Sequence, residues 1–253
     1  MPVLETAALT RSFGSVVAVD GVDFSLPEGE IRALIGPNGA GKTVFLHLLS
    51  GLLPPSRGRI ALDGADVTRL GIVERVRRGV TRSFQITNLF PNLTVAENVR
   101  LAVQARASVL SGWRRADGEP AAEARVRELL GLVGLGGVAD VLPTQLAHGD
   151  QRHLEIALAL APGPRLLLLD EPTAGMSLGE TGRTTALIRR INRDEGVTIV
   201  IVEHDMRLIL ELAQRITVLD HGRILAEGGP REIAEDPRVL EAYLGRGRRA
   251  ARH

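Results

Sequence analysis

The chain contains no cysteine. That excludes a disulfide framework, a thiolate metal site and a thiol nucleophile, and it agrees with a reducing compartment, the cytoplasm by default. Charge imbalance is missing too: 31 Lys plus Arg stand against 30 Asp plus Glu, for a formal net charge of +1. No global field draws the surface to nucleic acid or anionic lipid, so a nucleic-acid partner is not expected and any basic partner surface has to be local. No stretch approaches the roughly 18 apolar residues of a membrane span. The opening "MPVLETAALTRSF" has neither the charged head nor the apolar core of a secretory signal. Aromatics are scarce, with one Trp, one Tyr and five Phe. The sharpest shortage is lysine. Lys42 is the only one, and every other long cationic side chain is an arginine.

What is present fits one α/β domain over 1–253, long enough to bury a sizeable core but not to hold a second full catalytic domain. The first hundred residues alternate strand-like runs ("AVDGVDFSL", "EIRALIG", "GRIALDG", "GVTRSFQ") with turn signals, and one helix opens at Gly41. From Thr94 the periodicity turns helical ("TVAENVRLAVQARA", "PAAEARVRELLGLVG"), which reads as a helical lobe inserted at about 94–162. Strand and helix then alternate again through "RLLLLDE", "LGETGRTTALIRRINRDEG", "VTIVIVEHD" and "MRLILELAQR", as in a parallel sheet covered by helices. The basic tail 245–253, "GRGRRAARH", reads as a frayed, solvated end.

The lone lysine sits in "GPNGAGKT", residues 36 to 43. Gly36, Gly41, Lys42 and Thr43 satisfy G-x-x-x-x-G-K-[ST], after a strand-like run and before a helix-like one, and Pro37, Asn38, Gly39 and Ala40 complete the loop. Glycines there let successive amides curl around β- and γ-phosphates, the helix directs its positive end at them, and Thr43 offers a hydroxyl to Mg2+. Such a cradle admits a compact ammonium with three donors, whereas a guanidinium fork is wider and fixed in shape. An ordinary turn in this arginine-rich chain would have carried arginine.

Two further strands end in reactive side chains. "LLLLDE" delivers Asp170, placed to hold Mg2+ directly or through water, and Glu171, placed to orient or deprotonate an attacking water. The competing reading is a pair of acids capping the next helix. "TIVIVEHD" delivers His204, able to contact a γ-phosphate if it leaves the same edge of the sheet. Gln85, ending "GVTRSFQ", can reach Mg2+ or water, although a lone glutamine is more often surface. His47, His153, His221 and His253 show no metal-ligand spacing.

In combination, the phosphate loop, Gln85, "LAHGDQRHLEIALAL", "RLLLLDE" and His204, in that order, resemble the ATP-binding subunits of ABC transporters over nearly the whole chain. The resemblance implies a P-loop NTPase fold with a mostly parallel sheet core, an N-terminal antiparallel β subdomain and the inserted helical lobe. It implies ATP and Mg2+ as cofactors. It makes Ala147, His148, Gly149 and Asp150, after Leu146, the signature that binds the γ-phosphate of ATP held by a second ATP-binding subunit, a paralogue or a copy. Phe13 resembles the aromatic that stacks on adenine, a core position being its rival role. Within the family, "TRSFQITNLFPNLTVAENV", "LAHGDQRHLEIA" and "DPRVLEAYLG" look like branched-chain (hydrophobic) amino acid importers. That implies permease subunits, a periplasmic or extracellular solute-binding protein, and a place on the cytoplasmic face of the membrane. Lipopolysaccharide-export ATPases are the similar alternative. Two departures stand out: His148 and Asp150 replace the usual glycine and glutamine, and "AGMS" (174–177) replaces an aspartate-containing loop. A small-molecule kinase would not need "LAHGDQ" ahead of the acid pair, and a DNA-repair or translation ATPase would carry a coiled-coil insertion or a second ATP domain.

Overall fold

The computed structural model describes residues 2–83, 89–111 and 119–250, with side chains omitted at 106–111, 119 and 244–250. In chain order the elements are β1 (Pro2–Phe13), β2 (Val16–Pro27), β3 (Ile31–Ile35), α1 (Lys42–Ser50), β4 (Arg57–Leu62), β5 (Ala65–Asp66), α2 (Ile72–Arg77) and β6 (Val80–Arg82). They continue with α3 (Val95–Ser111), α4 (Glu119–Val133), α5 (His148–Leu160), β7 (Leu166–Asp170), α6 (Leu178–Glu195) and β8 (Thr198–Val202). The chain closes with α7 (Met206–Leu212), β9 (Arg215–Asp220), β10 (Arg223–Gly228), α8 (Pro230–Glu235) and α9 (Pro237–Ala250). These group into two compact units, one of residues 1–75 with 198–253 and the other of 76–197.

The first unit holds an antiparallel sheet in the order β2-β1-β4-β5. It also holds β3 between β8 and β9, parallel to both, with β10 antiparallel on β9. Every residue of β3 and β8 is buried, which is why these strands read as continuous apolar runs without alternation. Arg32 is the exception inside β3. Its guanidinium contacts Glu30, meets Glu227 at 2.9 Å and Thr217 at 3.0 Å, and lies 5.1 Å from the Phe24 ring centroid, so the buried charge is fully engaged. Phe24 and Phe45 pack edge to face at 5.5 Å, tying β2 to α1. Buried Arg75 donates to Leu49 O at 2.7 Å and Val67 O at 2.9 Å, so a side chain closes the C-terminal end of α1. Desolvation holds its pKa down at about 10.

In the second unit β6 and β7 pair in parallel, and α3, α4, α5 and α6 pack with one another. Thr94 and Glu97 form a capping box that starts α3, with Thr94 N–H donating to Glu97 at 2.7 Å. Buried Asn98 accepts from Phe90 N–H and donates to the carbonyls of Phe90, Leu93 and Thr94, which fixes the turn before that helix.

The sequence reading omitted β1, β5, α2, β9, β10, α8 and α9. The first of these is a strand whose exposed and buried positions do not alternate cleanly, because register shifts interrupt its pairing with β2. At the other end the backbone is helical through Ala250, and 251–253 fall outside the described residues.

Candidate functional site

The loop at residues 36–41 joins buried β3 to α1. Gly36, Gly39 and Gly41 have φ of 146°, 78° and 102°, a region in which a β-carbon is strained. At two of them packing adds a second constraint: a Cβ on Gly36 would lie 2.0 Å from Leu219 O, and one on Gly41 would lie 2.3 Å from Ala18 O. Glycine is therefore forced twice at these positions. Gly222 N–H donates to Ala40 O at 3.0 Å, binding the loop to the β9–β10 turn. Gly41 caps α1 without a side chain, so amides at the helix start are aimed at whatever the loop surrounds. Lys42 is buried and folds its ammonium back over the loop, donating to Gly36 O at 2.6 Å and Pro37 O at 3.2 Å. Asn38, Gly39 and Thr43 are exposed, while Pro37 and Ala40 are buried. A single contiguous segment thus brings the loop amides, the start of α1 and the Lys42 ammonium together.

Tyr243 of α9, the only tyrosine in the chain, also belongs to this neighbourhood. The residue is 42% exposed, yet partial desolvation of its phenol raises the pKa above the ordinary value, and a backbone hydrogen bond from Gly36 opposes that shift. Sequence patterns gave no hint of it.

Phe13 ends β1 at 44% exposure, which removes the core role that rivalled stacking, and the Arg11 guanidinium lies 4.6 Å from its ring centroid. His204 is exposed just beyond β8, its amide donating to the buried carboxylate of Glu203 at 3.1 Å. Gln85 lies outside the described residues.

Asp170 and Glu171 close β7. Neither is the cap of the next helix: Ser177 fills that role for α6, its hydroxyl accepting from Glu180 N–H at 3.4 Å while the Glu180 carboxylate accepts from Ser177 N–H at 2.9 Å and its hydroxyl at 2.6 Å. The "AGMS" segment therefore closes as a capping box. Glu171 holds φ at 48°, an unfavourable backbone conformation for a residue with a β-carbon, and the kind of strain that collects at functional positions. Asp170 is buried and accepts from Arg82 Nη2 at 2.7 Å. Removing one partner of such a pair strands the other charge, at a cost of about 3–5 kcal/mol. Asp170 Oδ1 is buried without a hydrogen-bond partner among the described residues, a free carboxylate oxygen that fits a divalent cation or its water. Arg82 was not singled out from the sequence, although a charged residue inside a short strand of otherwise buried positions was the available signal.

The signature residues open α5. Ala147 is its N-cap at φ −60° and ψ 154°, with no side-chain cap, and Ala147 and His148 are exposed. Gly149 is buried, and a Cβ there would stand 2.8 Å from Glu180 Oε1. Hydrogen bonds from the Ser177 hydroxyl and amide, then from the Gly149 amide, hold the Glu180 carboxyl below its ordinary pKa. Asp150 lies in the first turn, where a carboxylate suits the helix dipole. His153 is buried and 3.0 Å from Thr184 Oγ1, and desolvation lowers its pKa, so it serves the packing of α5 on α6. No cluster of three metal-ligating side chains occurs among the described residues.

Comparisons with known proteins agree with this architecture. A family model described as ABC transporter matches residues 19–174, and one described as branched-chain amino acid ATP-binding cassette transporter matches 223–248. The chain is 38% identical to the high-affinity branched-chain amino acid transport ATP-binding protein BraF of Pseudomonas aeruginosa, over 96% of this chain and 98% of that protein. It is 39% identical to its counterpart LivG of Escherichia coli K12, with the same coverage. A crystal structure of the ADP conformation of MJ1267, an ATP-binding cassette of an ABC transporter, superposes with a TM-score of 0.85 at 27% identity, covering 97% of this chain and 99% of that one. A dimeric cassette in a post-hydrolysis state bound to ADP and phosphate superposes with a TM-score of 0.77 at 28% identity, covering 90% and 99%. The chain belongs to the ATP-binding cassette family of ABC transporters, binding ATP and hydrolysing it. Within that family its relatives place it with the branched-chain amino acid type.

Proposed function

We infer that this chain is the ATP-hydrolysing subunit of an importer for branched-chain or other hydrophobic amino acids or a related small polar solute. It would work as a dimer of ATP-binding subunits on the cytoplasmic face of the membrane, with permease subunits and, through them, an extracellular or periplasmic solute-binding protein. Among the described residues no helix is long and apolar enough to cross a membrane. The match at 223–248 to the branched-chain model favours import over lipopolysaccharide export.

The observation that carries the ATPase reading is the glycine-forced loop with its buried ammonium. In that reading the amides of residues 36–43 and Lys42 bind the β- and γ-phosphates, Phe13 stacks on adenine, and His204 meets the γ-phosphate. Glu171 takes a proton from water as its oxygen bonds to the γ-phosphorus and the bond to the β-phosphate oxygen breaks, leaving ADP and phosphate. Mg2+, held by Thr43, Gln85 and the free oxygen of Asp170, would neutralise charge on the phosphate oxygens. Ala147, His148, Gly149 and Asp150 contact the γ-phosphate carried by the partner subunit, so ATP favours the dimer by its differential affinity.

Glu171→Gln tests the reading. Hydrolysis should fall about 10²–10⁴-fold, and light scattering should show a dimer with ATP that is absent with ADP. Unchanged turnover would remove Glu171 from its role. For the cargo, the complex purified with its permeases should hydrolyse ATP faster when its binding protein is loaded with leucine; a response confined to a different solute class would refute amino acid import.

A further inference from the structure

β6 and β7 run parallel with Arg82 opposite Leu168, and Ser83 N–H extends the ladder to Leu168 O at 3.0 Å. Side chains two residues apart on a strand share a face, so Asp170 emerges on the face that Arg82 occupies. There the two meet at 2.7 Å, with side-chain exposures of 5% and 1%. The pairing is only half complete. Asp170 Oδ1 is unpartnered among the described residues, and so are Nε and Nη1 of Arg82, although all three atoms are buried. An arginine and a carboxylate built for stability alone would close both prongs of the fork. A buried carboxylate oxygen left bare calls for a further partner, and a water or an ion is one that meets the need.

We propose that Arg82 is a positioning residue for the metal side of the nucleotide site: it grips Oδ2 of Asp170 so that Oδ1 alone is presented to the Mg2+ of the ATP complex or to a water on that ion. The inference rests on the assignment of Asp170 made under the proposed function. A guanidinium suits the task because it stays charged when buried and binds in the plane of the carboxylate, fixing its rotation. Partners behind a ligand commonly govern metal affinity in this way.

The test uses the full-length chain, as wild type, Arg82→Met, Arg82→Lys, Asp170→Asn and the Arg82→Met, Asp170→Asn double variant. ATP binding is measured by calorimetry in EDTA and with Mn2+, and Mn2+ in the ATP complex is read by electron paramagnetic resonance. Arg82→Met should weaken Mn2+ binding about tenfold or more, with ATP affinity in EDTA preserved. Arg82→Lys keeps the charge without the fork and should lose about threefold. In the double variant, Arg82→Met should add nothing to the loss caused by Asp170→Asn. Mn2+ binding unchanged in folded Arg82→Met would overturn the proposal. Equal losses with and without Mn2+ would also overturn it, because they mark a structural role. If Arg82→Met does not fold, Arg82→Lys decides: a threefold loss supports the proposal and a wild-type response overturns it. Mn2+ binding that survives Asp170→Asn would instead refute the assignment of Asp170 itself.

Discussion

Two helix starts in this molecule lack a side-chain cap, and they are built by opposite means. At α1 the backbone does the work: three left-handed glycines, two of them pressed against carbonyl oxygens, and a buried ammonium held by the loop's own carbonyls. At α5 the start is an extended alanine with no side-chain cap, and the Gly149 amide is met by a carboxylate of the same unit, Glu180. The first arrangement admits no other residue at its key positions. The second depends on a side chain, one that the Ser177 capping box holds in place. One helix start is thus preorganised by covalent geometry, the other by a side-chain contact.

Glycine substitutions break this contrast most directly. Gly36→Ala drives a methyl group to 2.0 Å from a backbone oxygen at φ 146°, and should cost about 4 kcal/mol or more with loss of ATP binding, read by chemical denaturation and calorimetry. The support behind α1 comes next. Arg75→Met strands Leu49 O and Val67 O at the far end of that helix, and thermal unfolding should show a loss of about 3 kcal/mol. Gly149→Ala meets the Glu180 side chain rather than backbone, and moving that side chain disturbs the Ser177 capping box of α6, so stability should fall by about 1 kcal/mol, well short of the loss at Gly36, with ATP binding by the isolated chain preserved. A large loss there would erase the difference between the two starts.

The smallest effect concerns pH in the unit that carries α5. Burial lowers the His153 pKa below 6.5. Between the folded value and 6.5 the unfolded chain binds more protons, so this contribution is present above pH 6.5 and is lost as pH falls through that window. The melting temperature should drop on acidification from pH 7 to 5, and His153→Gln should flatten that slope. Matching slopes in both proteins would assign the acid sensitivity elsewhere.

What could be read from the sequence divides along the same line. The phosphate loop was legible because its chemistry is contiguous: glycines, one lysine and a threonine at fixed spacing between a strand and a helix. The placing of Asp170, Glu171 and His204 at strand ends was legible because buried parallel strands read as apolar runs that stop where the chain emerges. Contacts that depend on strand register or helix docking were not. Arg82 and Asp170 are 88 positions apart and meet only once β6 pairs with β7. The carbonyls of Ala18 and Leu219 that force glycine at residues 41 and 36 come from β2 and β9, and no local pattern announces them. Glu180 read only as part of a helix; its hold on Gly149 required the loop ahead of α6 to fold back.

Lys42 gives the most direct test of the central claim, that one continuous loop of amides with a single ammonium binds the phosphates. ATP titrated by calorimetry into Lys42→Arg, with the fold verified by circular dichroism, should bind at least about tenfold more weakly than into the wild type. Wild-type affinity in that folded variant would contradict the account.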